Sequence, residues 1–580
     1  MSKARWFSPA VALCLSLFIS HAAQMLSIDS TGTRSGQVGV GEPFAISADG
    51  RFVAFMGAAT NYVANDTNGT SDVFVHDCVL RQHVWDTTFA LSPITALNGR
   101  STPWAITPDG RYLLFASTAT NLVSGITYSS GGEQLYVRDL LSNATTLVTL
   151  SHDGSNMANR PVLSPRIGGH PISSDGRFVS FASTATNLVP IDTNIDYDVY
   201  CRDLAIGATE LITVAPSGDR PLDAGTFSFV VSTNGRFFAF ETTATNVVGG
   251  IFNTSRLIQV YWRDRLAETT TLVTVTLEGG FALASGNSLL RDMSRDGRYV
   301  CFQSLATNLV SNQNDTGSSY DLFIRDMFLG ETWLVTRNTN GAASGSTQGG
   351  GQFSDNGQVL IFSSSTANLV PGVADANGSS VDIFAHYVRG RSNDIVSASW
   401  QGNTGANAYT ADGFANISAT GRFVLFTTTA NNLIPGSTDQ VQRLYLRDLQ
   451  ARLTLDPLRS PYFPTPSFNY AHTAISETER YIFFMTQANF DPFVTDTNLK
   501  NIDLFRAPLY QPKFLSIGPS PNKPMTTEGL PNATYMLQAS TNLINWTSLY
   551  SNTCDDQGRV IFYDAPVLFF PKRFYRLLWP

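Results

Sequence analysis

One ten-residue motif recurs eight times along this 580-residue chain, and no other feature restricts the fold as strongly. It reads apolar residue, Ser or Thr, any residue, Asp or Asn, Gly, Arg, aromatic, then an apolar run ending in Phe. The copies are ISADGRFVAF from Ile46, ITPDGRYLLF from Ile106, ISSDGRFVSF from Ile172 and VSTNGRFFAF from Val231. They continue as MSRDGRYVCF from Met293, FSDNGQVLIF from Phe353, ISATGRFVLF from Ile417 and ISETERYIFF from Ile475. The turn glycines Gly50, Gly110, Gly176, Gly235, Gly297, Gly357 and Gly421 lie 59 to 66 residues apart. The eighth copy carries Glu479 there, so a different turn is expected in it.

Each copy is followed by an ATNLV-like block, as at Ala119–Val123 and Ala185–Val189. Next comes an apolar–aromatic–apolar–Arg–Asp block, as in LYVRD from Leu135, VYCRD from Val199, LFIRD from Leu322 and LYLRD from Leu444. A β-branched run such as TTLVTL from Thr145 completes the unit. Period-two runs separated by turn residues read as four short antiparallel strands, with Asp-Gly expected to form a tight primed hairpin turn. Four strands repeated eight times indicate an all-β protein, an eight-bladed β-propeller of four-stranded blades, with seven blades and one irregular unit as the alternative. The segment Leu26–Gly32 resembles the fourth strand and exit of an inner repeat, Leu147–Gly154. It can therefore supply the last strand of blade eight and close the ring, with Lys513–Gly518 competing for that place.

The SxDGRxxxF and F/YxRD blocks resemble the TolB-type and WD-repeat-like propellers of bacterial exported proteins, over residues 25–514. The resemblance implies a fold and leaves function open, because such propellers serve as interaction platforms, enzyme halves and lyases. Composition narrows the choice: 43% hydrophobic residues with 14% charged permit a large core. A net charge of −8 argues against a general nucleic-acid binder, which needs a basic stripe.

Residues 1–22 read as a secretory signal, with Lys3 and Arg5 before a short apolar run and Ser20 and Ala22 at the cut. No later stretch reaches transmembrane length. The mature chain is expected to be exported, to the periplasm, outer surface or medium, as a monomer. Its cysteines, Cys78, Cys201, Cys301 and Cys554, are too sparse for a disulfide framework and are expected to act as buried apolar residues. Asn143 and Asn253 head Asn-x-Ser/Thr sequons.

Strand order separates two faces. The Asp-Gly turns and the strand-three ends lie on one, the long variable connections on the other, and binding is expected on the loop-rich face. Arg111, Arg177, Arg236 and Arg298 begin second strands, while Asp139, Asp203, Asp264 and Asp326 end third strands. Antiparallel neighbours bring these to the same end of a blade, as repeated structural ion pairs.

The most specific chemical signal is the loop between strands two and three. Blade one places Asp66, Asn68, Thr70 and Asp72 at alternate positions, and blade three places Asp192, Asn194, Asp196 and Asp198 likewise. Blade eight has Asp496, Asn498 and Asp503, with looser versions at Asp315–Asp321 and Asp375–Asp382. Oxygen ligands at alternate positions suit Ca²⁺, although the closing bidentate Glu of an EF-hand is missing. Asx turns made by the same residues are the simpler reading. For catalysis the best cluster is His152, Arg160, Arg166 and His170 on one segment, which would suit a lyase or hydrolase acting on an acidic glycan. With no nucleophile elbow and no metal-type histidine spacing, the expected function is non-catalytic: binding or scaffolding a protein or polysaccharide of the cell envelope.

After a linker at 515–524, residues 525–580 carry four further strand-like runs, expected to form a small β-sandwich. The YxLQASTNLxNW stretch from Tyr535 and the RFYR near the end resemble C-terminal modules of secreted bacterial proteins. That resemblance implies an immunoglobulin or fibronectin type III shape.

Overall fold

The computed structural model describes residues 23–578, except 64–65, 67, 88–96, 128–131, 164–169, 252, 278–283, 312–318, 342–346, 411–414, 459–471, 492, 499–500, 510–512, 518–523, 530–533, 541–545, 556–558 and 564–573. The expected signal segment and Arg166 lie outside the described residues.

Eight four-stranded antiparallel sheets follow one another around a ring, so the chain is an eight-bladed propeller. Blade one comprises Val40–Ile46, Phe52–Gly57, Asp72–Asp77 and Gln82–Asp86, and the later blades repeat this order. First strands of successive blades touch one another, so they line the axis and the fourth strands lie outermost. Blade eight takes its inner three strands from Thr473–Ile475, Tyr481–Thr486 and Asp503–Pro508, and its outer strand from Gln24–Met25 at the other end of the chain. Lys513–Ile517, the competing segment, belongs instead to a C-terminal sheet.

The core is a series of layers between neighbouring blades. One joins Val53, Phe55 and Phe74 of blade one to Phe483, Met485 and Leu504 of blade eight. Within blades, the periodic aromatics form cross-strand stacks, such as Phe115 on Tyr136 and Phe181 on Tyr200, both at 5.6 Å between ring centres. The ATNLV block also finds its reason here. Asn187 Oδ1 accepts the Asn159 amide and Asn159 Oδ1 accepts the Thr186 amide, clamping the 2–3 loop to the chain entering the inner strand. Asn121 with Asn98, and Asn432 with Asn407, repeat the first of these bonds.

Two turn expectations are corrected. The Asp-Gly turn is a four-residue loop, not a two-residue primed turn. The Ser47 amide donates to Phe52 O and the Gly50 amide to Ser47 O, with Gly50 at φ +68°. Ser47 Oγ bridges Asp49 and the Phe52 amide, so the motif's Ser and Asp satisfy amides that a wider loop would leave open. Blade eight keeps this turn despite its different sequence. The Glu479 amide bonds Ser476 O and φ is +56°. Its carboxylate accepts both the amide and the hydroxyl of Thr420, which stands where blade seven lacks the motif's Asp.

The expected ion pairs are present. Arg51–Asp77, Arg111–Asp139, Arg177–Asp203, Arg236–Asp264, Arg298–Asp326 and Arg422–Asp448 meet at 2.6–2.8 Å. Each such Asp also accepts amides of the turn into strand four, as Asp77 does from Val79 and Leu80. On this face Arg295 of blade five bonds Asp355 of blade six and Glu477 of blade eight, at 2.5 and 2.9 Å. Blades five and eight are not neighbours, so this bond crosses the mouth of the channel.

The four cysteines are buried and unpaired. Asn253 is also buried, its amide donating to Leu257 O, so that sequon presents no accessible acceptor. No helix among the described residues is long and apolar enough to cross a membrane. The C-terminal unit comprises two three-stranded antiparallel sheets, one of Lys513–Ile517, Pro524–Glu528 and Arg559–Tyr563, the other of Thr547–Thr553, Thr534–Ser540 and Phe574–Leu578. The four runs read from sequence all appear. Of the two strands before them, Lys513–Ile517 is the segment expected to compete for blade eight and Pro524–Glu528 was not expected; the expected linker 515–524 includes parts of both.

Candidate functional site

The first residue of each third strand explains much of the loop-rich face. Asp72, Gln134, Asp198, Gln259, Asp321, Asp382 and Asp503 occupy this place and are all buried. Six of them accept a hydroxyl from just beyond the end of strand four at 2.6–2.9 Å: Thr87 on Asp72, Thr149 on Gln134, Thr213 on Asp198, Thr274 on Gln259, Thr336 on Asp321 and Ser397 on Asp382. Gln serves twice, so this pairing needs an acceptor rather than a charge, and blade seven replaces it with Arg443, which pairs with Asp439 and Asp456. Sequence reasoning missed this pairing, although the fifteen-residue spacing of acceptor and hydroxyl was there to be found. Burial without a countercharge pushes the Asp72 and Asp382 carboxyls up to about 6, and those of Asp198 and Asp503 to about 7.

The structure brings the alternating Asp and Asn residues together within each loop. In blade one, Asn68 Nδ2 donates to Asp72 and Asn68 Oδ1 accepts the Thr70 amide, an Asx turn. Asp66 Oδ1 is buried without a partner. In blade three, Asp192 accepts the Asn194 amide and the hydroxyl of Tyr200, and Asn194 accepts the Asp196 amide. Here Asn194 Nδ2 turns to Leu222 O, and Asp198 Oδ2 is buried without a partner. Residue 74 of blade one is Phe where blade three has Tyr200, so blade one lacks the hydroxyl that Asp192 receives. Burial raises Asp192, and burial together with the neighbouring Asp192 and Asp196 carboxylates raises Asp198. No group of three His, Cys, Asp or Glu side chains converges as a metal cluster among the described residues.

Beside the blade-three loop lies an exposed apolar platform. Ile195 is 67% exposed, Tyr197 42% and Phe227 50%. The Thr226 amide donates to Tyr197 O, so the main chain holds Tyr197 next to the first strand of blade four. Two further exposed aromatics, Trp400 and Tyr409, lie on the connection between blades six and seven, and the Trp400 amide bonds Asn432 O of the ATNLV-like block. The opposite face exposes mainly aliphatic turn tips instead, among them Leu141, Ile206 and Leu266.

His152 and His170 are separated by the fold. The His152 amide and Nδ1 both meet Asn187 O on the loop-rich side, and Arg160 is exposed. His170 lies two residues before Ile172, which bridges Val179 next to the tight turn, and burial beside Arg295 lowers it to about 3. The pair therefore occupies the two ends of a blade.

No family model and no curated protein matches this chain. Among solved structures it resembles prolyl endopeptidases (11% identity, TM-score 0.38, 75% of this chain and 56% of that one). It also resembles the C-terminal WD40 domain of Sif2 (9%, TM-score 0.39, 82% and 97%). A xyloglucanase from Xanthomonas campestris is similar too (10%, TM-score 0.29, 77% and 65%). The chain thus spans just over half the length of the prolyl endopeptidase, and these likenesses concern the propeller fold alone.

Proposed function

We propose that this chain is an exported, non-catalytic binding propeller of the TolB-like kind, whose loop-rich face takes a polysaccharide of the cell envelope. The observation that carries this reading is the exposed pair Tyr197 and Phe227 beside a loop of carboxylate and amide side chains. Flat aromatic faces pack on the C–H faces of sugar rings, and adjacent polar groups bond ring hydroxyls. Trp400 and Tyr409 give the same face a second contact, as a long chain would use. The Arg–Asp pairs of the other face are internally satisfied and offer a glycan no comparable set of groups.

The test is retention of the purified protein on immobilised envelope polysaccharide fractions. Tyr197→Ala with Phe227→Ala is expected to lower retention at least tenfold without changing the thermal midpoint. Unchanged retention, or new unsaturated sugar ends in the glycan, would overturn the reading.

A further inference from the structure

The blade-three loop contains a problem that protein atoms alone leave unsolved. Asp192 and Asp198 are 5% and 1% exposed, and Asp196 stands between them in sequence at the surface. Asp198 Oδ1 accepts Thr213, but Oδ2 has no partner and no contact with solvent. Neither buried carboxylate forms an ion pair among the described residues, and the charged groups that act on Asp198 are other acids. A buried carboxylate oxygen without a partner is costly unless a proton, a donor or a cation joins it.

The same deficit recurs where the Asp-x-Asn pattern recurs. Blade one leaves Asp66 Oδ1 without a partner, with Asp66 8% exposed. Blades six and eight leave Asn377 Oδ1 and Asn498 Oδ1 so, next to Asp382 and Asp503. The unfilled atom is an oxygen acceptor in all four loops, and its bearer differs from loop to loop. An acceptor of this kind is completed by a cation or by a hydrogen-bond donor such as water.

We infer that the blade-three loop binds a divalent cation, calcium by its donor set, through Asp198 and Asp192 with Asn194 and main-chain carbonyls or water completing the shell. All donors are hard oxygens on an irregular loop, which suits the larger and less directional Ca²⁺ better than Mg²⁺. Two carboxylates give a site of modest charge, and so an affinity in the range of extracellular modules. This assignment stands apart from the glycan reading and would survive its failure.

The experiment is a Tb³⁺ and Ca²⁺ titration of the full mature chain at pH 7.5 after EDTA treatment. Tyr200 donates to Asp192, so exciting tyrosine is expected to sensitise bound Tb³⁺, with Ca²⁺ competing and Mg²⁺ competing at least tenfold less well. Asp198→Asn retains an oxygen for Thr213 and removes the charge, so it should fold as stably as the parent and lose one equivalent of bound metal. Asp326→Asn, at the tight-turn face, should leave the stoichiometry unchanged. Absence of sensitised emission and of any Ca²⁺-dependent rise in thermal midpoint would overturn the proposal. So would an Asp198→Asn variant that folds and binds the full number of ions.

Discussion

Ser27 Oγ donates to Asp503 Oδ1 at 2.7 Å, across 476 positions of sequence. It is the same bond that Thr87 makes to Asp72 or Thr213 to Asp198 within a single repeat, now formed between the two ends of the ring. The Leu26 amide bonds Leu504 O alongside it. Closure therefore reuses the repeat's own chemistry. Ser27→Ala is expected to cost about 1 kcal/mol, the net worth of one hydrogen bond. Deleting residues 23–29 should cost several times more, because the outer strand of blade eight goes with them. Urea unfolding of the two variants checks the ratio.

The turn glycines meet two demands. Gly176 has φ +74°, and a Cβ there would strike the Tyr112 ring of blade two. Gly154 has nearly the same φ, +75°, with nothing within 4 Å. Gly154→Ala should cost about 1 kcal/mol from the left-handed backbone alone. Gly176→Ala should cost about 3 kcal/mol, because overpacking adds to that strain. Similar losses for both would show that blade-to-blade contact at the turn is unimportant.

The Arg–Asp pairs call for a double-mutant cycle. Arg177 meets Asp203 with 47% of its side chain exposed, so solvent weakens the attraction. Its guanidinium also lies 4.8 Å from the Phe178 ring centre. Arg177→Gln and Asp203→Ala should couple only weakly, and the coupling should fade at high salt. Asp203→Ala alone should cost more than Arg177→Gln, since it also releases the Ala205 amide. Blade six, with Gln358 and Tyr387 at these two positions, shows that the fold tolerates losing both together.

His386 supplies a pH dependence. Trp333 Nε1 donates to its Nε2 at 3.0 Å and Asn393 Oδ1 lies 2.8 Å from Nδ1, an arrangement that fits the neutral ring protonated on Nδ1. Burial lowers its pKa to about 4 from an ordinary value near 6.5. The unfolded chain therefore binds the proton first as pH falls, and stability present above pH 6.5 is lost toward pH 4. The loss is on the order of 3 kcal/mol. His386→Gln should flatten that part of the pH–stability curve, followed by denaturant unfolding at pH 7 and pH 4.5.

The propeller was legible because repetition converts weak local signals into a strong one. Period-two runs such as FVSF and VYCR state which faces are buried, and eight copies state that the burial is mutual between units. The arginines and aspartates were placed correctly for the same reason: antiparallel pairing puts Phe178 opposite Asp203, with Arg177 one residue away. Even ring closure could be read, because Leu26–Gly32 carries the fourth-strand pattern.

What tertiary structure alone decided lies in interactions between repeats and in the state of single atoms. Sequence placed Glu479 outside the motif, and only the neighbouring blade shows it bonded to Thr420 in the place of the missing Asp. The alternating Asp and Asn residues were visible, but not that Tyr200 satisfies Asp192 while Asp198 is left an oxygen short. Nor did His152 and His170, close in sequence, reveal that a blade separates them. Pattern follows strand periodicity, which is local. Which acceptor goes unpaired depends on side chains brought together from different strands and blades, and that is fixed only when the ring is closed.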